Sequence, residues 1–146
     1  MTSDLIQRHG GPVPRYTSYP TANHFSAAVT PAHLRTWLAE LPDEPALSLY
    51  AHIPYCRELC FYCGCSTKAS RRYAPVEEYL VPLQAEIAHV SALVPPGHRV
   101  THIHWGGGSP DILTPADILR LGHAFRSQFA VSREAEVAVE IDPRLL

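Results

Sequence analysis

Residues 47–65 read LSLYAHIPYCRELCFYCGC and join a short apolar run to a loop rich in cysteine. The first seven of these residues are apolar and partly alternating, which predicts a β-strand. The loop that follows at once contains the four cysteines of the chain, Cys56, Cys60, Cys63 and Cys65. A disulfide framework would spread its cysteines along the chain to close long loops. This cluster instead predicts a metal or iron–sulfur site directly after a strand.

The first three cysteines have the spacing C-x3-C-x2-C. Thiolates hold iron–sulfur clusters, and ferredoxin-type clusters use four of them. Three thiolates on a four-iron cluster leave one iron open, and an open iron can chelate the amine and carboxylate of S-adenosylmethionine (SAM). We therefore predict that Cys56, Cys60 and Cys63 bind a 4Fe–4S cluster of the radical SAM type.

A zinc site is the main alternative, because Cys65 would complete a set of four thiolates. Structural zinc sites usually combine two separated ligand pairs, and four ligands within ten residues are awkward for a tetrahedron. His52 could replace Cys65, although an isolated histidine near a strand end is more often structural. As a cluster ligand Cys65 would block the open iron, so we place it outside the ligand set, near a substrate or a second bound molecule. A small buried hydrophobe is the alternative role of Cys65.

Upstream of the loop, the sequence predicts one irregular segment and one helix. Residues 1–29 are rich in Pro, Gly, Ser, Thr and Tyr without a clear period, which predicts an irregular arm. Thr30-Pro31 resembles a helix start, and the apolar spacing that follows predicts a short helix ending before Pro42. We assign residues 1–45 to the arm and this helix.

Downstream, helices and strands alternate. Apolar spacing predicts a helix over residues 76–90, with a kink or a late start because Pro82 lies inside it. Residues 100–105 and 136–141 predict two more strands. Between them lie a glycine loop and a third helix, for which Thr114 and Asp117 resemble a capping box. The apolar stripe of that helix is Ile118, Leu121, Phe125 and Phe129.

Alternating strands and helices predict an α/β fold with a parallel sheet and right-handed crossovers. The cysteine loop, the glycine loop and Glu140 all lie at the carboxyl ends of predicted strands, at the sheet edge where such folds place their chemistry. We assign residues 46–146 to the first part of this α/β core, which stops after the third strand.

Composition excludes several classes of protein. The chain has 146 residues, 46% of them hydrophobic and 18% charged, with a formal net charge of -2. This fits one globular domain, and no basic stripe indicates a nucleic-acid partner. No apolar run approaches the roughly 18 residues of a membrane span, and the N-terminus does not resemble a signal peptide. We expect a cytoplasmic monomer.

Five stretches of the chain stand out together: RYTSYPT at residues 15–21, LSLYAHIPYC at 47–56, CFYCGC at 60–65, HWGGGSP at 104–110 and VEIDPR at 139–144. They resemble the oxygen-independent coproporphyrinogen III oxidases, also called coproporphyrinogen dehydrogenases. They occur in the family's order, and RYTSYPT and CGC distinguish this family from related haem chaperones. The resemblance implies the N-terminal part of a radical SAM partial (β/α) barrel. Because family members are much longer, we interpret the chain as an incomplete fragment that is inactive alone.

The resemblance also implies roles for individual residues. Tyr50 would contact a first SAM molecule, Gly107 would offer backbone to its methionyl end, and Glu140 would accept hydrogen bonds from its ribose hydroxyls. Four residues would border a second SAM molecule, namely Tyr62, Cys65, Gly108 and Ser109. The family usually has threonine where Ser109 stands, so a hydroxyl is kept. Alone, the glycine run could equally be a tight strand–helix loop, and Glu140 could be a surface carboxylate.

The reaction that the resemblance implies is oxidative decarboxylation. A 5′-deoxyadenosyl radical from SAM would remove hydrogen from two propionates of coproporphyrinogen III, giving the vinyl groups of protoporphyrinogen IX for haem synthesis. An unidentified electron donor would reduce the cluster, Cys65 is the candidate catalytic residue, and no protein acid or base is required. The alternatives are another radical SAM enzyme acting on a tetrapyrrole, a radical SAM haem chaperone-like protein, and a small zinc-binding module.

Overall fold

The structure, a computed structural model, describes residues 2–10, 20–43 and 46–145. The chain divides into two compact units, Met1–Leu34 and Arg35–Leu146. Most of the RYTSYPT stretch lies outside the described residues.

The N-terminal arm is not irregular throughout, so that prediction was wrong for its first residues. Helix α1 spans Thr2–His9, and a 3₁₀ turn spans Ala22–His24. Asp4 and Arg8 form an ion pair of 2.9 Å one helical turn apart, a pairing that supports short exposed helices. The predicted second helix is confirmed as α2, Pro31–Ala39, with proline at its first position.

The second unit alternates strands and helices. In chain order these are β1 (Ala46–Ile53), β2 (Tyr55–Cys56), β3 (Lys68–Ala69), α3 (Ala74–Ser91), β4 (Arg99–Gly107), α4 (Pro115–Gln128) and β5 (Val131–Val139). Short 3₁₀ helices at Pro110–Ile112 and Pro143–Leu145 follow β4 and β5. Pro82 lies inside α3, which starts at Ala74, so the late start considered from the sequence does not occur.

The main sheet has the strand order β1-β4-β5, and both pairs are parallel. This confirms the predicted α/β architecture. Strand β5 begins five residues before the predicted start at Glu136, and its pairing with β4 shifts register after Val100. Because the strands are parallel, Ile53, Gly107 and Val139 end at the same edge of the sheet.

The core forms where α3 and α4 pack against the sheet. On α3 the buried residues are Val76, Leu80, Leu83 and Ile87, a helical spacing that aligns them on one face. Those side chains, with Leu121 and Phe125 of α4, join Ile53, Val100, Ile103 and Trp105 from the strands in one cluster. Burial of each large apolar side chain stabilises the fold by about 1.5–3 kcal/mol. Ile118, predicted for the buried stripe, is instead 38% exposed.

The predicted helix cap at Thr114 is confirmed. The Thr114 side-chain oxygen accepts a hydrogen bond from the Asp117 amide at 3.2 Å, which satisfies an otherwise unpaired donor of the first turn. No helix among the described residues has the length and apolar character needed to cross a membrane.

Candidate functional site

The cysteine loop leaves the sheet at the carboxyl end of β1 and is closed at its base by β2 and β3. Tyr55 pairs with Lys68, and Cys56 pairs with Ala69. The Cys56 carbonyl accepts from the Ser70 amide at 2.8 Å. Cys56 is therefore fixed in a two-residue ladder, whereas the other three cysteines lie in the loop that the ladder closes.

The cysteines differ in exposure and surroundings. Cys56 and Cys60 are half-buried, and Cys63 and Cys65 are exposed. Slight desolvation by nearby atoms raises the pKa of the Cys65 thiol, as do the neighbouring Cys63 thiol, the Glu140 carboxylate and Cys56. The thiols of Cys56, Cys63 and Cys65 thus lie close enough to influence one another, beside Glu140.

The donor set fits an iron–sulfur cluster by its chemistry, because three thiols on one solvent-accessible loop can all become thiolate ligands. Within residues 2–10, 20–43 and 46–145, no three His, Cys, Asp or Glu side chains are grouped so that they could hold a metal ion. Assigning Cys56, Cys60 and Cys63 as ligands stays a prediction.

The glycine loop after β4 is shaped by close approaches of the chain to itself. A Cβ at Gly106 would lie 2.8 Å from the Glu140 carboxylate, and one at Gly108 would lie 2.5 Å from the Tyr55 carbonyl oxygen. Gly107 has a φ of +114°, and a Cβ there would lie 2.6 Å from the His52 ring. Gly108 is thus required by packing against backbone, and Gly107 is required by its φ, independently of any ligand, whereas a Cβ at Gly106 would displace only the flexible Glu140 side chain.

The amides of this loop already have acceptors. The Gly107 N–H donates to Glu140 Oε2 at 3.1 Å. The amides of Gly108 and Ser109 donate to the carbonyls of Ile53 and Tyr55 at 2.8 and 2.9 Å. The roles predicted for Gly107, Gly108 and Ser109 in SAM binding remain predictions, and they would rest on contacts other than these three N–H groups.

Glu140 lies directly beyond β5, and its amide donates to the Trp105 carbonyl at 2.9 Å, which continues the strand pairing. Its Oε1 is 3.1 Å from His104 Nε2. With Oε2 bonded to Gly107, both carboxylate oxygens are oriented by β4 and the glycine loop. Half of the Glu140 side chain nevertheless stays exposed, so the carboxylate can still meet a ligand.

Tyr50 lies beside this carboxylate. Its ring stacks on His104, with centroids 5.7 Å apart, and its hydroxyl is 3.1 Å from His52 Nδ1. Partial burial, followed by the charges of Glu140 and Cys65, raises the pKa of Tyr50. Tyr50, Glu140 and Cys65 therefore form one cluster at the carboxyl edge of the sheet.

Sequence analysis assigned no functional role to His104, and it favoured a structural role for His52 over that of a zinc ligand. His52 Nε2 is 2.9 Å from the Ser66 carbonyl, so this side chain links β1 to the cysteine loop. His104 faces Glu140 from the neighbouring strand. Alternation along β4 places His104 on the same strand face as Gly106, but it does not indicate Glu140 as the partner of His104.

A second group of predicted residues lines a cleft of about 210 Å³ between the cysteine loop and the glycine loop. Its walls include Cys56, Cys60, Tyr62, Gly108, Ser109 and Arg144. Three residues predicted to border a second SAM molecule are thus brought together. The fourth, Cys65, does not line this cleft and lies instead with Tyr50 and Glu140. Arg144 is a further lining residue, to which sequence analysis gave no role.

No family model matches the chain, but comparison with known proteins identifies several relatives. An oxygen-independent coproporphyrinogen III oxidase of Bradyrhizobium diazoefficiens is 46% identical over 147 residues, covering all of this chain and 33% of that protein. The protein of that name from Escherichia coli is 42% identical over 140 residues, covering 96% of this chain and 30% of the relative. A solved structure of coproporphyrinogen III oxidase from Escherichia coli, described as a radical SAM enzyme, has a TM-score of 0.81 at 40% identity, over 90% of this chain and 30% of that one.

The chain is thus related over its length to the N-terminal part of oxygen-independent coproporphyrinogen III oxidases, and the solved structure that it resembles is described as a radical SAM enzyme. This confirms the family resemblance and the predicted fold class. The chain spans about a third of the length of the curated relatives it matches.

Proposed function

We propose that this chain forms the cluster-binding and SAM-binding part of an oxygen-independent coproporphyrinogen III oxidase in haem biosynthesis. The proposed reaction is the oxidative decarboxylation of two propionates of coproporphyrinogen III to the vinyl groups of protoporphyrinogen IX. The observation that supports it most is the meeting of the cysteine loop, the glycine loop and Glu140 at one edge of a parallel sheet. The identity of 46% to a relative of that name extends over this whole region.

In this proposal Cys56, Cys60 and Cys63 hold a 4Fe–4S cluster. When bound, the cluster and SAM would supply the one-electron chemistry that oxidises the propionate, and an unidentified electron donor would reduce the cluster. Cys56 provides the fixed end of the ligand set, because its backbone is paired with Ala69. The loop residues Cys60 and Cys63 can adjust around it.

Glu140 binds the ribose hydroxyls of SAM in this proposal. A carboxylate held through both oxygens by His104 and the Gly107 amide is oriented before a ligand arrives, and such preorganisation lowers the entropic cost of binding. Tyr50 contacts the same ligand from β1, which lies on the other side of β4 from β5. Tyr62, Gly108 and Ser109 border a second SAM molecule in the cleft, and Cys65 acts near the reacting groups rather than as a cluster ligand.

The cluster assignment is tested by anaerobic reconstitution of the chain with iron and sulfide. We expect about four irons and four sulfides per chain, as a 4Fe–4S cluster requires. The electron paramagnetic resonance signal of the reduced cluster should change when SAM is added. Changing Cys56, Cys60 or Cys63 to Ala should abolish the cluster, whereas the matched variant Cys65→Ser should retain it. Stoichiometric zinc without labile sulfide, or loss of the cluster in Cys65→Ser, would contradict the proposal.

The substrate assignment needs a separate measurement. Incubating the reconstituted protein and its full-length counterpart with coproporphyrinogen III, SAM and a reductant should give a divinyl product in the full-length protein. Haem transfer to an acceptor without any vinyl product would favour the chaperone-like alternative. Cys65→Ser in the full-length protein should keep its cluster and lose product formation.

A further inference from the structure

Three residues connect the segment after β5 to the loop that follows β4. Asp111, in the 3₁₀ helix behind the glycine loop, accepts a hydrogen bond through Oδ2 from the Asp142 amide at 3.2 Å. Asp142 in turn binds Arg144. The Arg144 Nε donates to Asp142 Oδ1 at 2.9 Å, and Nη2 donates to Oδ2 at 2.6 Å. This paired geometry is the strong, directional form of an arginine–carboxylate contact.

The two hydrogen bonds between Arg144 and Asp142, here called the clamp, hold Arg144 in one orientation. Only 12% of the Asp142 side chain is exposed, and the hydrogen bonds from Arg144 lower the pKa of Asp142 to about 2. Asp142 is therefore ionised at neutral pH, and the guanidinium keeps its partner. A long side chain fixed in this way loses little further rotamer freedom when it makes an additional contact.

The Nη2 nitrogen that binds Asp142 also reaches the cysteine loop. Arg144 Nη2 donates to the Glu58 carbonyl at 3.4 Å and to Cys60 Sγ at 3.6 Å. Both acceptors lie more than 80 residues earlier in the chain. The same guanidinium thus donates hydrogen bonds to the backbone of the loop and to one of its sulfur atoms.

We infer that Arg144 is a positioning residue for the cluster, which donates an N–H···S hydrogen bond to the Cys60 thiolate and raises the reduction potential of the bound 4Fe–4S cluster. This inference rests on the proposed function, in which Cys60 is a ligand. Hydrogen bonds to the sulfur atoms, net charge and solvent exposure set the potential of such clusters. A donor and a positive charge beside a ligand sulfur stabilise the reduced cluster more than the oxidised one, because the reduced cluster is the more negative.

A role of Arg144 in setting the reduction potential differs from a role in only holding two loops in contact. A purely structural clamp would change the amount of cluster assembled or the stability of the protein, without changing the potential of the cluster that forms. A sulfur donor changes the potential itself. The reduction potential is therefore the decisive quantity.

The test is a redox titration of the reconstituted chain, followed by electron paramagnetic resonance, with Arg144→Gln as the main variant. We expect the midpoint potential of Arg144→Gln to be more negative than that of the unchanged chain at equal iron and sulfide content. Arg144→Lys keeps the charge but lacks the planar fork, so it should lie between the two. Arg133→Gln is the matched control, because it removes an exposed arginine near the start of β5, at the opposite end of that strand, and it should leave the potential unchanged.

The outcomes distinguish this inference from the proposed function. If the unchanged chain assembles no 4Fe–4S cluster, the proposed function fails. If it assembles one and Arg144→Gln has the same potential, or Arg133→Gln shifts equally, only the role of Arg144 is overturned. If Arg144→Gln assembles no cluster, the midpoint potential of Arg144→Lys is compared with that of the unchanged chain instead. A more negative potential in Arg144→Lys supports the inference, and an equal potential overturns it.

Discussion

Gly107 has two independent reasons to be glycine. Its φ of +114° lies in a region that side chains with a Cβ rarely adopt, and the space a Cβ would need is filled by the His52 ring. His52 is itself held by the Ser66 carbonyl of the cysteine loop. A substitution at Gly107 therefore acts on the whole junction between β1, β4 and that loop.

Three glycine-to-alanine variants separate these two reasons. Gly107→Ala should destabilise the protein by more than the roughly 1–3 kcal/mol of backbone strain, because displacement of His52 adds to the cost. Gly97→Ala has a φ of +98° with nothing within 4 Å of the added Cβ, so it should show strain alone. Gly122→Ala lies in α4 with open space around it and should stabilise the fold by about 0.5–1 kcal/mol. Urea unfolding at neutral pH measures all three.

If Gly107→Ala and Gly97→Ala lower the free energy of unfolding equally, the contact between the added Cβ and His52 has no energetic cost. A further readout is the nuclear magnetic resonance signal of the His52 ring, which should move in Gly107→Ala and stay in place in Gly97→Ala.

The sequence could predict site residues that belong to contiguous motifs, and it failed for residues whose partners are distant. The four cysteines are adjacent in the chain, and Glu140 follows an apolar strand, so each could be named from local pattern. Arg144 reaches Cys60 from 84 positions away, and His104 reaches Glu140 from 36 positions away. Neither separation leaves a periodic signal in one sequence.

At the scale of elements, predictions succeeded where an apolar period exists and failed where it does not. Helices α3 and α4 were predicted from buried residues at helical spacing. The first half of β5 includes exposed Arg133 and Glu134, so its residues show no buried stripe, and the predicted strand began too late. Strands β2 and β3 have two residues each, which is too short for any period. Helix α1 was missed because its eight residues are surrounded by turn-forming composition.

Asp117 joins the starts of α3 and α4. Its carboxylate accepts hydrogen bonds from the Tyr73 hydroxyl and, at 2.7 Å, from the Thr114 hydroxyl, and it pairs with Arg120 at 2.8 Å. Burial alone would raise the pKa of Asp117, but the two hydrogen bonds and the arginine outweigh it, and the pKa lies below its ordinary value. The ionised carboxylate therefore stabilises the contact between the two helices.

Asp117→Asn should lower the free energy of unfolding by about 1.5–3 kcal/mol at neutral pH, the typical value of hydrogen bonds to a charged group. Because the folded-state pKa is lowered, this stabilisation is complete above the unfolded pKa of about 4 and is lost as pH falls through the folded pKa. The difference between the two proteins should shrink over that acidic range. Urea unfolding at several pH values measures it.

Glu78→Gln is a matched control for this prediction, because it removes an exposed carboxylate from α3 and should change stability by less than about 0.5 kcal/mol. A difference between Asp117→Asn and the unchanged chain that stays constant or grows towards acid would contradict the assigned pKa direction.

At the scale of the second unit, the apolar surface is unevenly distributed. Strand β5 pairs with β4 on one side, and within the described residues no strand pairs with its other side. Val137, Val139 and Ile141 near its carboxyl end are each 44–50% exposed. Next to Val137 an apolar groove runs between the sheet and α4, lined by Ile103, Trp105, Leu119 and Phe125. An unpaired edge with exposed β-branched side chains favours association with another strand.

We therefore predict that a polypeptide of residues 1–146 associates as its concentration rises. Val137→Lys should weaken this association, because a lysine on an edge strand makes edge-to-edge pairing unfavourable. Val81→Lys is the matched control, since Val81 is 65% exposed on α3 and away from the edge. Sedimentation velocity over a range of concentrations measures the effect. A species that stays monomeric at high concentration, or equal effects of the two lysines, would show that β5 is not the associating surface.

In the same preparation the edge beside Glu140 stays open to water, so we expect no conversion of coproporphyrinogen III even after cluster reconstitution. The full-length counterpart, assayed in parallel, should restore that conversion if further strands cover this edge and exclude water from the reacting groups.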